Sequence, residues 1–451
     1  MRAADLGCRR VAVWGLGREG RGAIGFLRKH HPNLPLLLLA DAPESPESSS
    51  VGGNVEYVFG AAEIARAIEH VDVIVKSPGV SRYRPEIQSA REKGVQVTSL
   101  LNLWFAEQFR LTTLCVTGTK GKSTTASLIA QILEELGHRV ALAGNIGVPI
   151  TEVDGVNAEF AVIEVSSYQA ADFDGTCDVA VLTSLYPEHL DWHLTLENYI
   201  RDKLKLLSRS KCQIVNREVA AAVEQLVGTS PARRYLFNDE AGLHFQGTRL
   251  FDGNAALGEV VNSYLTRRHN RSNLCAALAV AKSLGIDPAA ALEASVGFRG
   301  LPHRQQELGE IEDVLFVDDS ISTIPEATMA ALAVYKGRKI TLIVGGYDRG
   351  IEYDELVAAI LGGAAEAVIC LGDSGARIYA LAQEAVARRQ GCSSRIHRAS
   401  SMEDAVSLAR RMTPPGGVVL LSPAAPSYGN YRDFIERGRD FAARAGFCLS
   451  A

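Results

Sequence analysis

The residues with the clearest chemistry stand in one short loop. Gly118-Thr119-Lys120-Gly121-Lys122-Ser123 follows an apolar run and precedes a segment with apolar residues at helical spacing. Two glycines let such a backbone curl so that its N–H groups face one anion at a helix N-terminus. We predict a phosphate-binding loop in which Lys122 reaches the β and γ phosphates and the Ser123 hydroxyl ligates Mg²⁺. The general pattern G-x-x-x-x-G-K-S/T has a glycine where this chain has Val116, so the loop is a shorter variant.

A second glycine-rich turn lies near the start of the chain. Gly15-Leu16-Gly17-Arg18-Glu19-Gly20 separates an apolar run from a helical pattern, and Asp41 ends the next apolar run. Glycines at this spacing, with an acid after the second strand, are typical of nucleotide crevices in doubly wound sheets. The motif alone is weak evidence. A redox function is disfavoured, because no group suited to hydride transfer stands out in the sequence.

The elements that must hold these loops alternate short apolar runs with longer amphipathic segments. This order is typical of parallel sheets with crossover helices, so the predicted fold class is α/β. A chain of 451 residues exceeds the roughly 250–300 residues at which a single core stops growing. We predict a Rossmann-like N-terminal domain (1–109), a central P-loop ATPase domain (110–300) and a Rossmann-like C-terminal domain (301–451). Predicted strands cover residues 11–15, 36–41, 71–75, 111–117, 160–165, 179–183, 213–216, 314–317, 340–345, 367–371 and 418–421, predicted helices cover 273–284, 288–295 and 432–445, and 41–50 is a predicted loop.

Composition and charge restrict the class of partners. A content of 47% hydrophobic and 22% charged residues is ordinary for a soluble globular protein, and a net charge of −5 gives no attraction to nucleic acid or to an anionic membrane. The eight cysteines are scattered singly, which fits a reduced cytoplasm best. The N-terminus has no apolar stretch that would export or anchor a chain. We therefore expect a cytoplasmic monomer without nucleic-acid or membrane partners.

The short loop variant resembles that of the Mur ligases and folylpolyglutamate synthetases, which form amide bonds through acyl phosphates. Glu164 in Val-Ile-Glu-Val, His189 in Pro-Glu-His-Leu-Asp and Lys203 in Arg-Asp-Lys-Leu match positions at which this superfamily binds metal, the lysine often as a carbamate. Read alone, each could be a solvated acid, a loop histidine or a surface lysine. Their joint occurrence behind a phosphate loop favours the metal site. The resemblance implies ATP and a pair of Mg²⁺ ions, the metal being held by Ser123, Glu164, His189 and carbamylated Lys203.

Further motifs extend the resemblance to the Mur ligases along nearly the whole chain. Asn273 in His-Asn-Arg-Ser-Asn matches a position near the adenine, Arg304 in Gly-Leu-Pro-His-Arg one that touches ATP phosphate, and Asp319 one that binds ribose. The first glycine-rich turn would receive the diphosphate of a UDP-linked substrate. The neighbouring histidines, 193 and 303, keep a structural interpretation. The resemblance implies an ATP site of Gly118, Thr119, Lys120, Gly121, Lys122, Ser123, Thr124, Asn145, Asn273, Arg304 and Asp319, with Lys122, His189 and Lys203 catalytic, and a UDP site of Gly15, Leu16, Gly17, Arg18, Asp41, Ser77 and Gly79.

Chain length and the closing segment resemble the glutamate-adding branch of the family, MurD. Ser427 and Phe434 match its glutamate site, but Ile321 stands where that branch has the lysine of D-S-K-A-T-N. The lost contact with a substrate carboxylate is worth about 1.5–3 kcal/mol. Either Arg349 supplies the missing cation or the amino acid differs. The resemblance implies an ADP-forming ligase of peptidoglycan precursor synthesis that adds glutamate to UDP-N-acetylmuramoyl-L-alanine, with L-glutamate favoured and D-glutamate open.

Two other functions remain as alternatives. Folylpolyglutamate synthesis also adds glutamate to a carboxylate, but those ligases start at the phosphate-loop domain and have no counterpart of residues 1–109. A nucleotide-binding switch without ligase activity would make Glu164 and His189 dispensable. The presence of both residues argues against the switch.

Overall fold

The computed structural model describes residues 1–42, 54–107, 110–146, 149–155, 157–227, 232–388 and 395–448. The chain divides into two compact units, Met1–Phe298 and Arg299–Ala451. Within the described ranges, the first unit holds two sheets and the second holds one, and the α/β class is confirmed. The domain boundaries given above stay predictions, and most of the predicted loop at 41–50 lies outside the described residues. No helix in the part of the chain that is described is long and apolar enough to cross a membrane.

The first sheet of the first unit is parallel throughout. Its central strand is a continuous run of buried side chains, as expected for a strand covered by helices on both faces. The predicted strands near residues 11, 36 and 71 are confirmed, with ends shifted by one or two residues. The elements are β1 (Val11–Trp14), β2 (Leu36–Ala40), β3 (Val55–Phe59), β4 (Val73–Lys76), β5 (Gln96–Thr98), α1 (Arg18–His30), α2 (Ala61–Ala67), α3 (Pro85–Glu92) and α4 (Leu100–Ala106), in the strand order β3-β2-β1-β4-β5.

The second sheet has a parallel centre and an antiparallel edge. The antiparallel edge strands were not among the predicted elements. The strands are β6 (Thr112–Thr117), β7 (Val140–Gly144), β8 (Phe160–Glu164), β9 (Cys177–Leu182), β10 (Ser210–Asn216), β11 (Arg233–Phe237), β12 (Leu243–Gln246), β13 (Arg249–Asp252) and β14 (Ala255–Glu259), in the order β14-β13-β12-β11-β10-β9-β6-β8-β7. The helices are α5 (Lys122–Glu135), α6 (Ser167–Asp172), α7 (Leu190–His193), α8 (Leu196–Ser208), α9 (Ala220–Val227), α10 (Arg268–Ser283) and α11 (Pro288–Ala294).

The sheet of the second unit is parallel apart from one antiparallel edge strand. Its predicted strands are confirmed, and its last helix is shorter than the predicted 432–445. The elements are β15 (Gln306–Ile311), β16 (Val314–Asp318), β17 (Ile340–Val344), β18 (Ala367–Cys370), β19 (Arg395–Arg398), β20 (Val418–Leu421), α12 (Pro325–Val334), α13 (Asp354–Ala359), α14 (Gly372–Arg388), α15 (Met402–Met412) and α16 (Phe434–Arg444), in the strand order β15-β16-β20-β17-β18-β19.

The two sheets of the first unit share apolar packing. The Phe105 ring of α4 packs edge to face on its neighbour Trp104 and on Phe173 after α6. The ring centroids are 5.1 Å apart for Trp104 and Phe105 and 4.9 Å apart for Phe105 and Phe173. The side-chain amide of Asn102 donates to the carbonyl of Asp172 at 2.8 Å. One cluster of buried side chains includes residues of both sheets. This continuity explains why the first unit behaves as one compact body.

A buried ion pair also joins these two sheets. The ammonium group of Lys76, at the end of β4, contacts the carboxylate of Asp172 in α6, and the two side chains are 0% and 5% exposed. Lys76 also donates to the carbonyl of Val80 at 2.8 Å. Burial lowers the pKa of Lys76, while the Asp172 charge acts in the opposite direction. The pair is therefore costly to break from one side only.

The Lys76→Met variant should lose about 3–5 kcal/mol of unfolding free energy, because it leaves the Asp172 carboxylate buried without a counter-charge. Urea denaturation measures this loss. The double variant Lys76→Met/Asp172→Leu should recover much of it, since apolar side chains tolerate the same environment. Lys93→Met, which removes a half-exposed partner of Glu69, should change stability by at most about 1 kcal/mol. Equal losses for the buried and exposed lysine would contradict this account.

Candidate active site

The phosphate loop lies where the carboxyl ends of neighbouring strands meet. Strand β6 lies between β8 and β9, and the loop that follows it runs into α5. Loops beyond parallel strand ends are the usual ligand crevice of such sheets. The crevice therefore combines the loop at 118–121, Glu164 at the end of β8 and the residues that follow β9.

Both loop glycines are required by the backbone and by their neighbours. Gly118 has a φ of 148°, and a Cβ there would lie 1.9 Å from the hydroxyl of Thr183. Gly121 has a φ of 86°, and a Cβ there would lie 2.5 Å from Oδ1 of Asn273. The Asn273 side chain also accepts a hydrogen bond from Thr125 at 3.2 Å. The structure therefore places Asn273 against the loop, and its predicted position near an adenine stays a prediction.

Three lysines surround this loop. Nζ of Lys122 donates to the carbonyls of Gly118 and Thr119 at 3.0 Å each, and Nζ of Lys203 donates to Gly118 at 2.8 Å. Lys120 forms an ion pair with Glu188 at 2.8 Å. Burial, with the nearby charge of Lys122, lowers the pKa of Lys203 to about 7. A loop with this concentration of positive charge fits an anion such as a polyphosphate.

A second set of bonds fixes the loop from α8 and from the segment that follows β9. The Thr119 hydroxyl lies 2.6 Å from the hydroxyl of Tyr199 and accepts from the backbone N–H of Tyr186 at 2.8 Å. The backbone N–H of Lys120 donates to the hydroxyl of Ser184 at 2.9 Å. Ser123 and Thr124 are buried in the first turn of α5. The loop is thus held by side chains that neither the motif nor its spacing identified.

Glu164 provides an independent indication of a cation site. Its side chain is 1% exposed, and one carboxylate oxygen accepts from Nδ2 of Asn145 at 3.2 Å. Within the described ranges, its other oxygen is buried without a hydrogen-bond partner. An unpaired buried carboxylate oxygen is unfavourable unless a cation is supplied. The side chain therefore fits a divalent metal ion.

His189 has a more exposed setting. It adopts a left-handed backbone with φ 55° immediately before α7, and its side chain is 46% exposed. Nε2 lies 3.7 Å from the carboxylate of Glu188. Burial lowers the pKa of His189, which favours the neutral imidazole that binds metals. The part of the chain that is described contains no group of three or more His, Cys, Asp or Glu side chains placed to hold a metal, so the set Ser123, Glu164, His189 and Lys203 stays a prediction.

The first glycine-rich turn forms a second crevice in the same unit. Gly15 has φ 89°, and the Ser77 hydroxyl donates to its carbonyl at 2.8 Å. A Cβ on Gly20 would lie 1.8 Å from that carbonyl, so α1 can approach β1 this closely only with glycine. The guanidinium of Arg18 donates to the carbonyl of Gly144 at 3.0 Å and so reaches the end of β7. Leu16 is buried, and Gly17 and Gly79 are exposed near the same turn.

Asp41 is engaged by a residue that the sequence analysis missed. Arg84 donates to both carboxylate oxygens of Asp41 at 2.8 and 2.9 Å, and its guanidinium lies 4.9 Å from the Trp14 ring centroid. Asp41 itself is 60% exposed, so the pair lies at the surface of the crevice. Nothing local in the sequence marks Arg84, because its partner lies forty-three positions away.

Two of the predicted ATP-site residues, Asp319 and Arg304, lie in the second unit. The carboxylate of Asp319 is 1% exposed and accepts from the hydroxyls of Ser322 and Ser422 at 2.6 and 2.7 Å. Burial raises the pKa of Asp319 to about 6. In this structure that carboxylate fixes its own loop, and its contact with ribose stays a prediction. Arg304 is half-buried, and its role toward ATP is likewise untested.

The predicted glutamate residues lie at the carboxyl ends of the strands of the second unit. Arg349 is exposed and donates to the carbonyl of Thr323 at 2.9 Å, which places it beside the loop that carries Ile321. Ser427 lines a cavity of about 440 Å³. Phe434 packs edge to face on His303 at 6.0 Å. The structural interpretation of His303 agrees with its burial and its 2.7 Å ion pair with Asp318.

Parallel sheets with a glycine loop between a strand and a helix define a phosphate-binding α/β protein. Three family models match the chain: Mur ligase MurD-like N-terminal domain at residues 9–99, Mur ligase middle domain at 116–281, and Mur ligase, glutamate ligase domain at 303–425. Among curated relatives, a UDP-N-acetylmuramoyl-L-alanine–L-glutamate ligase of Xanthomonas euvesicatoria pv. vesicatoria is 40% identical over 99% of this chain and 97% of its own length. One of the same name from a Micromonospora species is 40% identical over 98% and 97%.

Solved structures agree at the level of the fold. The UDP-N-acetylmuramate–alanine ligase MurC of Thermotoga maritima aligns with TM-score 0.59 at 19% identity, covering 97% of this chain and 99% of its own. A UDP-N-acetylmuramoyl-L-alanyl-D-glutamate–2,6-diaminopimelate ligase aligns with TM-score 0.55 at 20% identity, covering 92% and 93%. The chain belongs to the Mur ligase family, whose members are ATP-dependent ligases.

A methyl group at position 121 should abolish nucleotide binding. In Gly121→Ala the backbone at position 121 would have to stay left-handed, which is unfavourable for alanine. The new Cβ would also clash with the Asn273 side chain. Gly137→Ala is the matched control, because Gly137, just after α5, has a similar φ of 87° but open space around it. The control should lose only about 1 kcal/mol of stability and bind normally. Calorimetric titration with Mg²⁺-ADP distinguishes the two, and wild-type affinity in Gly121→Ala would refute the steric argument.

Proposed function

We propose that this protein joins glutamate to UDP-N-acetylmuramoyl-L-alanine with ATP, through an acyl phosphate, in peptidoglycan precursor synthesis. The observation that carries the proposal is the match over nearly the full chain with relatives named for this reaction. The structure adds support, because the glycine loop, its lysines and the unpartnered Glu164 oxygen occupy one crevice. A family match alone would not explain these side chains.

The phosphate loop positions the nucleotide and neutralises its charge. In the proposed mechanism the backbone of residues 118–121 cradles the phosphates, and Lys122 leaves the Gly118 and Thr119 carbonyls to bind the γ phosphate. Bound Mg²⁺ would neutralise the developing charge on the phosphate oxygens. Ser123, Glu164, His189 and carbamylated Lys203 would hold it. Carbamylation would turn a buried amine into the anionic ligand that such a set needs.

The acceptor carboxylate is the group that must be activated. Transfer of the γ phosphoryl group to the terminal alanine carboxylate gives an acyl phosphate, whose phosphate is a good leaving group. The glutamate amine attacks its carbonyl carbon, and phosphate departs from the tetrahedral adduct. The first glycine-rich turn, with Gly15, Gly17 and Ser77, would bind the UDP diphosphate, and Asp41 with Arg84 would border the uridine side.

L-glutamate is the proposed amino acid, and D-glutamate is the alternative. Two observations favour the L form. The relatives at about 40% identity carry L-glutamate in their names, and Ile321 replaces the lysine that the D-glutamate enzymes use. Arg349 beside this loop would supply the cation from a different position, so the carboxylate that it binds would reach the pocket from a different direction.

The decisive assay is phosphate release with ATP, Mg²⁺ and UDP-N-acetylmuramoyl-L-alanine, run in parallel with L- and D-glutamate and checked for product by mass. Release with L-glutamate alone is expected. Lys122→Ala and Lys203→Met should lower turnover by about 10²-fold or more with circular dichroism unchanged, since the first removes the cation that binds the γ phosphate and the second removes a proposed metal ligand. Release with D-glutamate alone would reverse the chirality assignment. No phosphate release with either glutamate enantiomer would overturn the substrate assignment.

Removing the proposed glutamate cation should act on one substrate only. Arg349→Ala is expected to raise the KM for glutamate by about 10- to 150-fold, the equivalent of a lost charge-assisted contact. The KM for ATP should not change, and Arg349→Lys should show a smaller defect. Arg411→Ala, on the exposed face of α15, serves as the control for a lost surface charge. An unchanged glutamate KM in Arg349→Ala would exclude this role.

A further inference from the structure

Four side chains form a continuous hydrogen-bonded series inside the first unit. The Tyr83 hydroxyl donates to Oδ2 of Asp202 at 2.9 Å, and Nδ1 of His193 donates to the same oxygen at 2.7 Å. Oγ of Ser167 lies 3.1 Å from Nε2 of His193, within hydrogen-bond distance. We call this series the His193 network.

The order Ser167, His193, Asp202 is that of a nucleophile relay, but burial excludes that use. His193 is 0% exposed, and Ser167 and Asp202 are 4% exposed each. The Trp192 and Tyr199 rings pack on the imidazole with centroids 4.5 and 5.2 Å away. A nucleophile has to reach an acyl carbon, and here the seryl oxygen is enclosed by protein. The network therefore acts through what it holds in place.

One end of the network lies in the segment that follows β4. This segment carries Ser77 and Gly79 of the proposed UDP crevice and continues to Tyr83. It is joined to α7 twice more, because the indole N–H of Trp192 donates to the carbonyl of Pro78 at 3.0 Å and the Ser81 hydroxyl donates to the carbonyl of Trp192 at 2.8 Å. A shift of this segment must therefore move α7 or break these bonds.

The middle of the network, at Asp202, lies on α8. Asp202 precedes Lys203, whose ammonium group donates to the carbonyl of Gly118. Tyr199, one turn earlier, bonds to the hydroxyl of Thr119 at 2.6 Å. The orientation of α8 therefore sets two contacts to the phosphate loop. Ser167, in turn, stands three residues after Glu164, so the network also fixes the loop that leaves β8.

We infer that the His193 network is a positioning device that makes occupancy of the UDP crevice and occupancy of the phosphate loop interdependent, with His193 as its central positioning residue. The inference rests on the proposed function, because it takes the two crevices as sites for the two nucleotide substrates. Its physical basis is that Asp202 accepts from Tyr83 of the UDP-crevice segment and from His193, whose ring also meets Ser167 after β8. The geometry of each side therefore limits that of the other.

The test is a binding cycle that needs no turnover. Calorimetry measures the affinity of a non-hydrolysable ATP analogue with Mg²⁺ in the absence and presence of saturating UDP-N-acetylmuramoyl-L-alanine, and the ratio of the two affinities is the coupling factor. Wild-type protein should show a factor different from one. Tyr83→Phe, which removes a single hydroxyl, and His193→Gln should move that factor toward one by about 2- to 30-fold.

A control separates coupling from stability. Tyr235→Phe, on β11 where the ring packs under the guanidinium of Arg233, should keep the wild-type coupling factor. A purely structural network would lower the melting temperature of Tyr83→Phe and leave its coupling factor unchanged, which would overturn the inference, as would a wild-type factor of one. Absence of binding by either ligand to wild type would instead overturn the proposed function, and the inference with it. Tyr83→Phe decides the question even if His193→Gln does not fold.

Discussion

The phosphate loop has room for a backbone but not for side chains, and the rest of the first unit is arranged around that restriction. Thr183 from the end of β9 and Asn273 from α10 fill the space that a Cβ at Gly118 or Gly121 would need. Because these neighbours come from separate elements, the loop keeps its shape only if the sheet and α10 are both in register. A local motif thus depends on contacts with residues as distant in sequence as Asn273.

Positive charge concentrates around the loop. Lys120 is paired with Glu188, and Lys122 and Lys203 donate to loop carbonyls. The lowered pKa of Lys203 shows how unfavourable a second ammonium group is at this depth. Glu164 pairs with Val116 across β8 and β6, and one of its oxygens is buried with the opposite need, for a cation. A polyphosphate with its metal ion would satisfy both, which is why the arrangement favours a nucleotide over a simple anion.

The sequence was sufficient for features with a local signal. The loop at 118–123 and the β1 and β6 strands were predicted because strand, glycine turn and helix follow one another directly. The start of α10 was missed, since polar residues before Asn273 hide its apolar periodicity. The antiparallel edge, β12 to β14, was missed as well. Arg84 and the His193 network could not be predicted, because the residues that bond to one another are distant in sequence and only the tertiary fold brings them into contact.

Two arginines of the second unit differ in how much of the fold depends on them. Arg437 is 3% exposed and donates to the hydroxyl and carbonyl of Ser320 and to the carbonyl of Ala425, so it joins the loops after β16 and β20. Burial lowers its pKa to about 10, yet it stays charged at neutral pH. Arg349, by contrast, is exposed and donates to the carbonyl of Thr323. An exposed cation such as Arg349, or the side chain at position 321, can differ between members of a family without disturbing the sheet. Replacing Arg437 would release two strand ends at once, so selection for a different amino acid should act on the exposed positions first.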